Sequence, residues 1–258
     1  MDLGIKGRTA LVTAASRGIG RACALSLAAE GCNLAICARG DEELQKTAAE
    51  IRAQTGVQVL AHTADLSSLD DLQKLVAKTE STFGGIDILV AICGSPKRGS
   101  FDDITDEDLT NAFAATVLSL ARLVRLVTPS MRAHKWGRVV TVQSRSVRET
   151  IPELFASNST RPGAAGLMKN MSRELAADGV LFNTIVPGRI MTDRFLGGVE
   201  SSKLGAEAYL KSKIGDVPVQ RFGTPEDIAG VVTFLASEKA AYVNGAAIPV
   251  DGGVIRGI

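Results

Sequence analysis

Thr9-Ala10-Leu11-Val12-Thr13-Ala14-Ala15-Ser16-Arg17-Gly18-Ile19-Gly20 decides the fold of this chain. Thr9–Thr13 is a short apolar, β-rich run. A small-residue turn follows, and Gly20–Glu30 carries small and apolar residues at helical spacing. A strand that turns through glycine directly into a helix leaves backbone N–H groups at the helix start. Those groups cradle a pyrophosphate, and the small residues let it approach. A glycine turn alone is weak evidence, because turns use glycine everywhere. The strand–turn–helix context and the motifs further along strengthen it.

Outward from this stretch, strands and helices alternate. Strands are expected at Asn33–Ala38, Val57–His62, Ile86–Ile92, Arg138–Val142, Val180–Val186 and Ala246–Val250, with helices at 41–55 and 68–83. A long helix starts near Thr105, where Thr105 and Asp108 form a capping-box pattern, and runs to about Val127, before Pro129. Another lies within 152–177, with Pro162 disturbing it or sitting in its first turn. Continuously apolar segments such as Asn33–Ala38 are those of parallel strands covered on both faces. The pattern predicts one α/β domain over 1–258: a doubly wound Rossmann sheet of about seven parallel strands with helices on both faces. Residues 191–215, with several Gly and Lys, are expected to be a mobile lid over a substrate.

Composition excludes several classes. Lys+Arg 29 against Asp+Glu 28 gives a formal charge of +1, no argument for nucleic acid or an anionic membrane. No uninterrupted apolar run reaches the roughly 18 residues of a membrane span, and the N-terminus lacks a secretory pattern. Cys23, Cys32, Cys37 and Cys93 show no metal or disulfide spacing, and His62 and His134 are far apart. A cytoplasmic protein without a metal is expected.

These residues resemble the short-chain dehydrogenase/reductase family, whose loop reads TGxxxGIG, over nearly the whole chain. Ala14 replaces the first Gly and adds a methyl near the nucleotide ribose. Within the family, the 3-oxoacyl-carrier-protein reductase group has the loop TGASRGIG, one position different. By resemblance, Ala14, Ser16, Arg17, Gly18, Ile19 and Gly20 hold the dinucleotide. Arg39 follows the second strand with no acid at Cys37 or Ala38. With Arg17 it suits a ribose 2′-phosphate, which implies NADP(H); the alternative is two solvated surface arginines. Asp65 and Leu66 match the adenine contact, although Asp65 also suits a helix cap. Ala91-Ile92-Cys93-Gly94 stands where the family has NNAG, with Gly94 alone matching and Cys93 beside it. Pro187, Gly188, Ile190 and Thr192 match PGxIxT, which meets the nicotinamide.

At the reaction centre the resemblance breaks. The family uses Ser, Tyr, Lys and Asn. Ser144 matches the Ser. Ser157 stands for the Tyr, Arg161 for the Lys and Thr116 for the Asn. An aliphatic hydroxyl is a far weaker acid than a phenol, and arginine stays protonated. Arg161 still suits a ribose and a developing alkoxide, and Ser144, Ser157 and a water form a conceivable proton relay. Arg145, Arg148, Arg161 and Arg189 would suit an anionic or acyl-thioester substrate. Against this, Arg145 and Arg148 are placed to pair with Glu149 and Glu153. Two readings follow: an NADP(H)-dependent oxidoreductase with a non-standard proton path, or a non-catalytic dinucleotide-binding sensor or partner subunit. A homotetramer is expected, from apolar faces at Leu118, Leu123 and Leu126 beside Met168 and Met171.

Overall fold

The computed structural model describes residues 1–200 and 205–257. Seven strands form one parallel sheet: β1 Thr9–Val12, β2 Asn33–Ala38, β3 Val59–Thr63, β4 Ile88–Ile92, β5 Gly137–Val142, β6 Val180–Pro187 and β7 Ala247–Val250, in the order β3-β2-β1-β4-β5-β6-β7. The order reverses between β1 and β4, so the crevice for a ligand opens beyond their carboxyl ends. Thr13 closes the base of that crevice: its Oγ1 donates to the Ile92 carbonyl and accepts from the Ile92 N–H, both at 2.8 Å.

The strand period of two divides the core. From β1, Ala10 and Val12 face one side and Leu11 the other. The first side is covered by α1 Gly18–Ala29, α2 Asp41–Thr55 and, late in the chain, the helix Pro225–Leu235. The second is covered by α3 Leu69–Phe83, by α4 Asp106–Phe113 running into α5 Ser119–Ala133, and by α6 Phe155–Glu174. Thr105 and Asp108 cap α4 reciprocally, as their spacing implied. Residues 191–200 and 205–215 carry two short helices, α7 Asp193–Glu200 and α8 Ala206–Ile214, and Phe195 packs against Tyr209 and Phe222. The rest of the expected lid, 201–204, lies outside the described residues. Pro225–Leu235 is α9.

Several expectations need correction. β3 begins at Val59 and β4 at Ile88, each two residues late. The fourth long helix does not stop before Pro129 but runs through it to Ala133, with a π-turn at Ala114–Leu118. Pro162 neither breaks α6 nor sits in its first turn; it lies inside a continuous helix. An interior proline costs about 3 kcal/mol of helix stability. Here the Pro162 ring faces solvent, while Ala156, Ser157, Thr160, Ala164 and Met168 anchor the opposite face. Leu123 and Met168 are each 1% exposed and belong to the core, so the apolar surface proposed for association shrinks to Leu118, Leu126 and Met171. The stretch Asp106–Ala133 is also long and apolar enough to cross a membrane, although charged residues interrupt it; half of its most apolar window is buried inside the fold, as in a core helix.

Candidate active site

A cleft of about 740 Å³ opens at the carboxyl ends of β1, β2 and β3, and Ala14, Ser16, Arg17, Arg39, Asp65, Leu66 and Gly94 line it. The loop from β1 is pinned in place: the Ala15 N–H donates to the Cys37 carbonyl at 2.9 Å, and Thr47 Oγ1 donates to the Ser16 carbonyl at 2.9 Å. Gly20 is required by packing, since a Cβ there would stand 2.2 Å from the Ala14 carbonyl oxygen. Ala14 sits at φ 51°, in the left-handed region where L side chains cost about 1–2 kcal/mol. That is where a glycine is at ease, so the alanine is strained as well as bulky.

The start of α1 is built for an anion. α2 has three acids in its first turn, α3 is capped by Ser68, and α4 and α9 carry capping boxes. α1 has no side-chain cap and no acid there, so its first N–H groups and its positive dipole end face the cleft uncompensated. Arg17 and Arg39 are exposed and, among the described residues, make no ion pair. Both line the cleft together with Asp65 and Glu43, whose carboxylates their charges help to stabilise.

Asp65 is not a helix cap; Ser68 performs that task. One Asp65 oxygen instead accepts from both the N–H and the hydroxyl of Ser67, at 2.9 and 2.7 Å. These bonds, more than Arg39, hold its carboxyl below the usual carboxylate range. Asn111, Ala114 and Ala115 also line the cleft. Sequence reasoning missed them, although their i, i+3, i+4 spacing puts them on one helical face.

The tail residues arrive from β6. Pro187 ends that strand opposite Val250, and Ile190 bridges to Gly223. A Cβ on Gly188 would stand 2.6 Å from Asp251 Cα, so only glycine permits this crossing. Thr192 lies over the phosphate loop, its methyl 3.7 Å from where a Gly18 Cβ would be. Ile19 is half-buried beneath it.

β5 and α6 supply the residues expected at the reaction centre. Ser144 Oγ accepts from the Ser146 N–H at 3.2 Å and lies 3.1 Å from Ser146 Oγ. Ser146 Oγ in turn lies 3.3 Å from Ser157 Oγ. A chain of three hydroxyls thus runs from half-buried Ser144 to buried Ser157, and its middle member was not foreseen. The repeat Ser144-Arg145-Ser146 was the available signal.

Arg161 is one helical turn beyond Ser157 and 6% exposed. Its Nη1 donates to Gln143 Oε1 at 3.1 Å and to Cys93 Sγ at 3.3 Å, and its Nη2 donates to the Gly94 carbonyl at 3.2 Å. Its Nε is buried without a partner, and no described carboxylate pairs with it. A buried guanidinium with a spare donor fits a ligand hydroxyl or oxyanion. It also ties Gly94 on the cleft wall to Gln143, next to Ser144.

Thr116 does not join this group. It is fully buried and donates to the Ala112 carbonyl of its own helix at 2.6 Å. Its hydroxyl proton is therefore spent on α4, and the relay water of the family pattern loses its holder. Of the tyrosines, Tyr242 is fully exposed and Tyr209 lies on α8, packed against Phe195. Cys23, Cys32 and Cys37 are buried, which pushes their thiols up to about 12 and makes them inert.

A switch-point cleft with an uncapped helix start and two free arginines defines a dinucleotide-binding α/β protein. The sequence matches the family described as enoyl-(acyl carrier protein) reductase over residues 13–255. It is 31% identical to a 3-oxoacyl-[acyl-carrier-protein] reductase of Staphylococcus epidermidis, over 96% of this chain and 98% of that one. It is 32% identical to the dehydrogenase/reductase SDR family member 4 of Sus scrofa, over 96% and 88%. The L-sorbose reductase of Gluconobacter frateurii, solved with NADPH and L-sorbose, superposes with a TM-score of 0.96 at 30% identity, covering both chains fully. The chain belongs to the short-chain dehydrogenase/reductase family.

Proposed function

We propose that this protein is an NADP(H)-dependent oxidoreductase that reduces a carbonyl, or oxidises the matching alcohol, on a small molecule. The observation that carries this reading is the Arg161 bridge, which sets the hydroxyl chain Ser144–Ser146–Ser157 against the inner wall of the dinucleotide cleft. The L-sorbose reductase relative, solved with NADPH, supports the choice of cofactor. So do the two unpaired arginines, which fit a 2′-phosphate. Four unpaired cysteines suit a reducing cytoplasm.

When bound, the cofactor supplies the hydride. The residues of this chain do the rest. Arg17 and Arg39 hold the 2′-phosphate, and the α1 N–H groups hold the pyrophosphate. Arg161 offers its spare Nε–H to the inner ribose. Ser144 donates to the substrate oxygen, and Ser146 and Ser157 pass a proton behind it. Aliphatic hydroxyls relay protons but are poor sources, so solvent must refill the chain.

A second reading has one observation in its favour. A serine, a far weaker acid than a phenol, stands at position 157, so the pocket would also serve a dinucleotide sensor. NADPH oxidation with a panel of ketones and 3-oxoacyl thioesters, in the parent and in Ser146→Ala, separates the two. The oxidoreductase reading expects turnover that falls by about 10–10² in Ser146→Ala with NADPH affinity unchanged. Turnover indifferent to Ser146 removes the relay. NADPH binding with no turnover of any member favours the sensor.

A further inference from the structure

Beyond the hydroxyl chain, the carboxyl ends of β5 and β6 carry two arginines that the proposed reaction does not use. Arg145 follows Ser144, and Arg189 follows Gly188. Their side chains are only 17% and 14% exposed. Burial, and then the like charge of Arg189, holds the Arg145 guanidinium below the usual arginine range. The two arginines follow paired neighbouring strands, and two like charges so little exposed there repel each other unless anions answer them.

Three acids are near. Glu149 reaches Arg145 at 3.3 Å. Asp251 has both oxygens committed to backbone, accepting from the N–H groups of Gly253 and Ile255 at 2.9 and 2.7 Å. Asp216, just beyond α8 and 54% exposed, accepts from Arg189 Nη2 at 2.7 Å.

The geometry of Arg189 is incomplete. On a guanidinium, Nε–H and one Nη2–H point the same way and match the two oxygens of one carboxylate. Asp216 takes the Nη2 arm alone. The Nε–H is buried without a partner. A half-exposed acid on a surface segment thus half-fills a fork built for two oxygens, one residue from the Gly188 crossing and beside the residue that follows Ser144.

We propose that the Arg189 fork, with Arg145 beside it, is the seat for a substrate carboxylate, so that the substrate is an oxo acid or the corresponding hydroxy acid. The carboxylate displaces Asp216 from Nη2 and also takes Nε–H, while the reacting carbon lies toward Ser144. The assignment of a reacting carbonyl rests on the oxidoreductase reading above; the carboxylate seat does not.

The test is calorimetric titration of the protein, with and without saturating NADP⁺, using pyruvate, acetoacetate, levulinate and 5-oxohexanoate, each beside its amide. The best acid should bind about tenfold or more tighter than its amide, as a two-point charged contact implies. Arg189→Gln should reduce that preference to about twofold or less, and Arg189→Lys, which keeps the charge but not the fork, should restore only part of it. Asp216→Asn should tighten the acid by about threefold or more, because it removes the internal competitor. Equal binding of acid and amide by the parent, unchanged preference in Arg189→Gln, or weaker acid binding in Asp216→Asn would each overturn the seat. Inorganic phosphate binding as tightly as the best acid would overturn the carboxylate assignment. Carboxylate preference without NADPH-dependent turnover would leave the seat standing and sink the oxidoreductase reading. Turnover without carboxylate preference would do the reverse.

Discussion

The two halves of the site treat their polar groups in opposite ways. In the dinucleotide half, around β1, β2 and α1, they are left open: α1 is uncapped, and Arg17 and Arg39 have no ion pair among the described residues. In the reaction half, around β5, β6 and α6, most engage one another: three serine hydroxyls touch in series, and Arg161 is held by Gln143, Cys93 and Gly94, while among the described residues its Nε and that of Arg189 are left without partners. Open groups can receive a ligand directly, whereas paired groups must exchange a partner to do so. The first half follows the family pattern nearly residue for residue. In the second, the residues at the expected family positions, Ser144, Ser157 and Arg161, are joined through Ser146, Gln143 and Gly94.

Restoring the family residues should break this contrast most strongly. The triple change Thr116→Asn, Ser157→Tyr, Arg161→Lys returns a phenol, an ammonium that lowers its pKa, and the relay amide. Because α6 is continuous through Pro162, position 157 keeps its place beside Ser146. Carbonyl reduction with NADPH should rise by up to about 10²–10⁴, the contribution of a positioned acid, in a steady-state assay over ketones and 3-oxoacyl thioesters. A folded variant that binds NADPH and is slower than the parent would show that the serine–arginine network is itself the better machinery.

Most of the fold could be read from the sequence because strand and helix periods are local signals: Thr105 with Asp108, and the β1–turn–α1 stretch, state their geometry within a few residues. What could not be read depended on packing. Pro162 and Pro129 looked like helix breakers because their cost is local, while the buried faces that outweigh it come from distant strands. In the site, the loop and both arginines were legible from their positions after β1 and β2. Ser146 was not, because its value lies in reaching Ser157, eleven residues on in the chain and 3.3 Å away in space. Thr116 stands where the family has Asn, and the sequence could not show that its hydroxyl donates to the Ala112 carbonyl of its own helix.

The open half can be probed more gently. Arg39→Ala should weaken NADPH by about 10–100-fold, the worth of a charge-assisted contact of about 1.5–3 kcal/mol, and leave NADH unchanged. Titration calorimetry with both nucleotides reads this, and equal losses for the two would remove the 2′-phosphate from Arg39.

A smaller effect sharpens the comparison at the loop itself. Ala14→Gly relieves a left-handed alanine at about 1–2 kcal/mol and returns about 0.5–1 kcal/mol of chain entropy to the unfolded state. Net stability in urea should rise by roughly 0.5–1 kcal/mol. A loss of stability would mean that the methyl packs usefully in the cleft wall.

The most direct test of the account is a crystal structure of the protein with NADP⁺. The 2′-phosphate should lie between Arg17 and Arg39, the pyrophosphate on the N–H groups at Gly18–Gly20, and an ordered nicotinamide beside Ser144 with Arg161 Nε on its ribose. A nucleotide that is absent from the cleft, or one whose nicotinamide turns away from Ser144 and leaves Arg161 Nε without a partner, would contradict it.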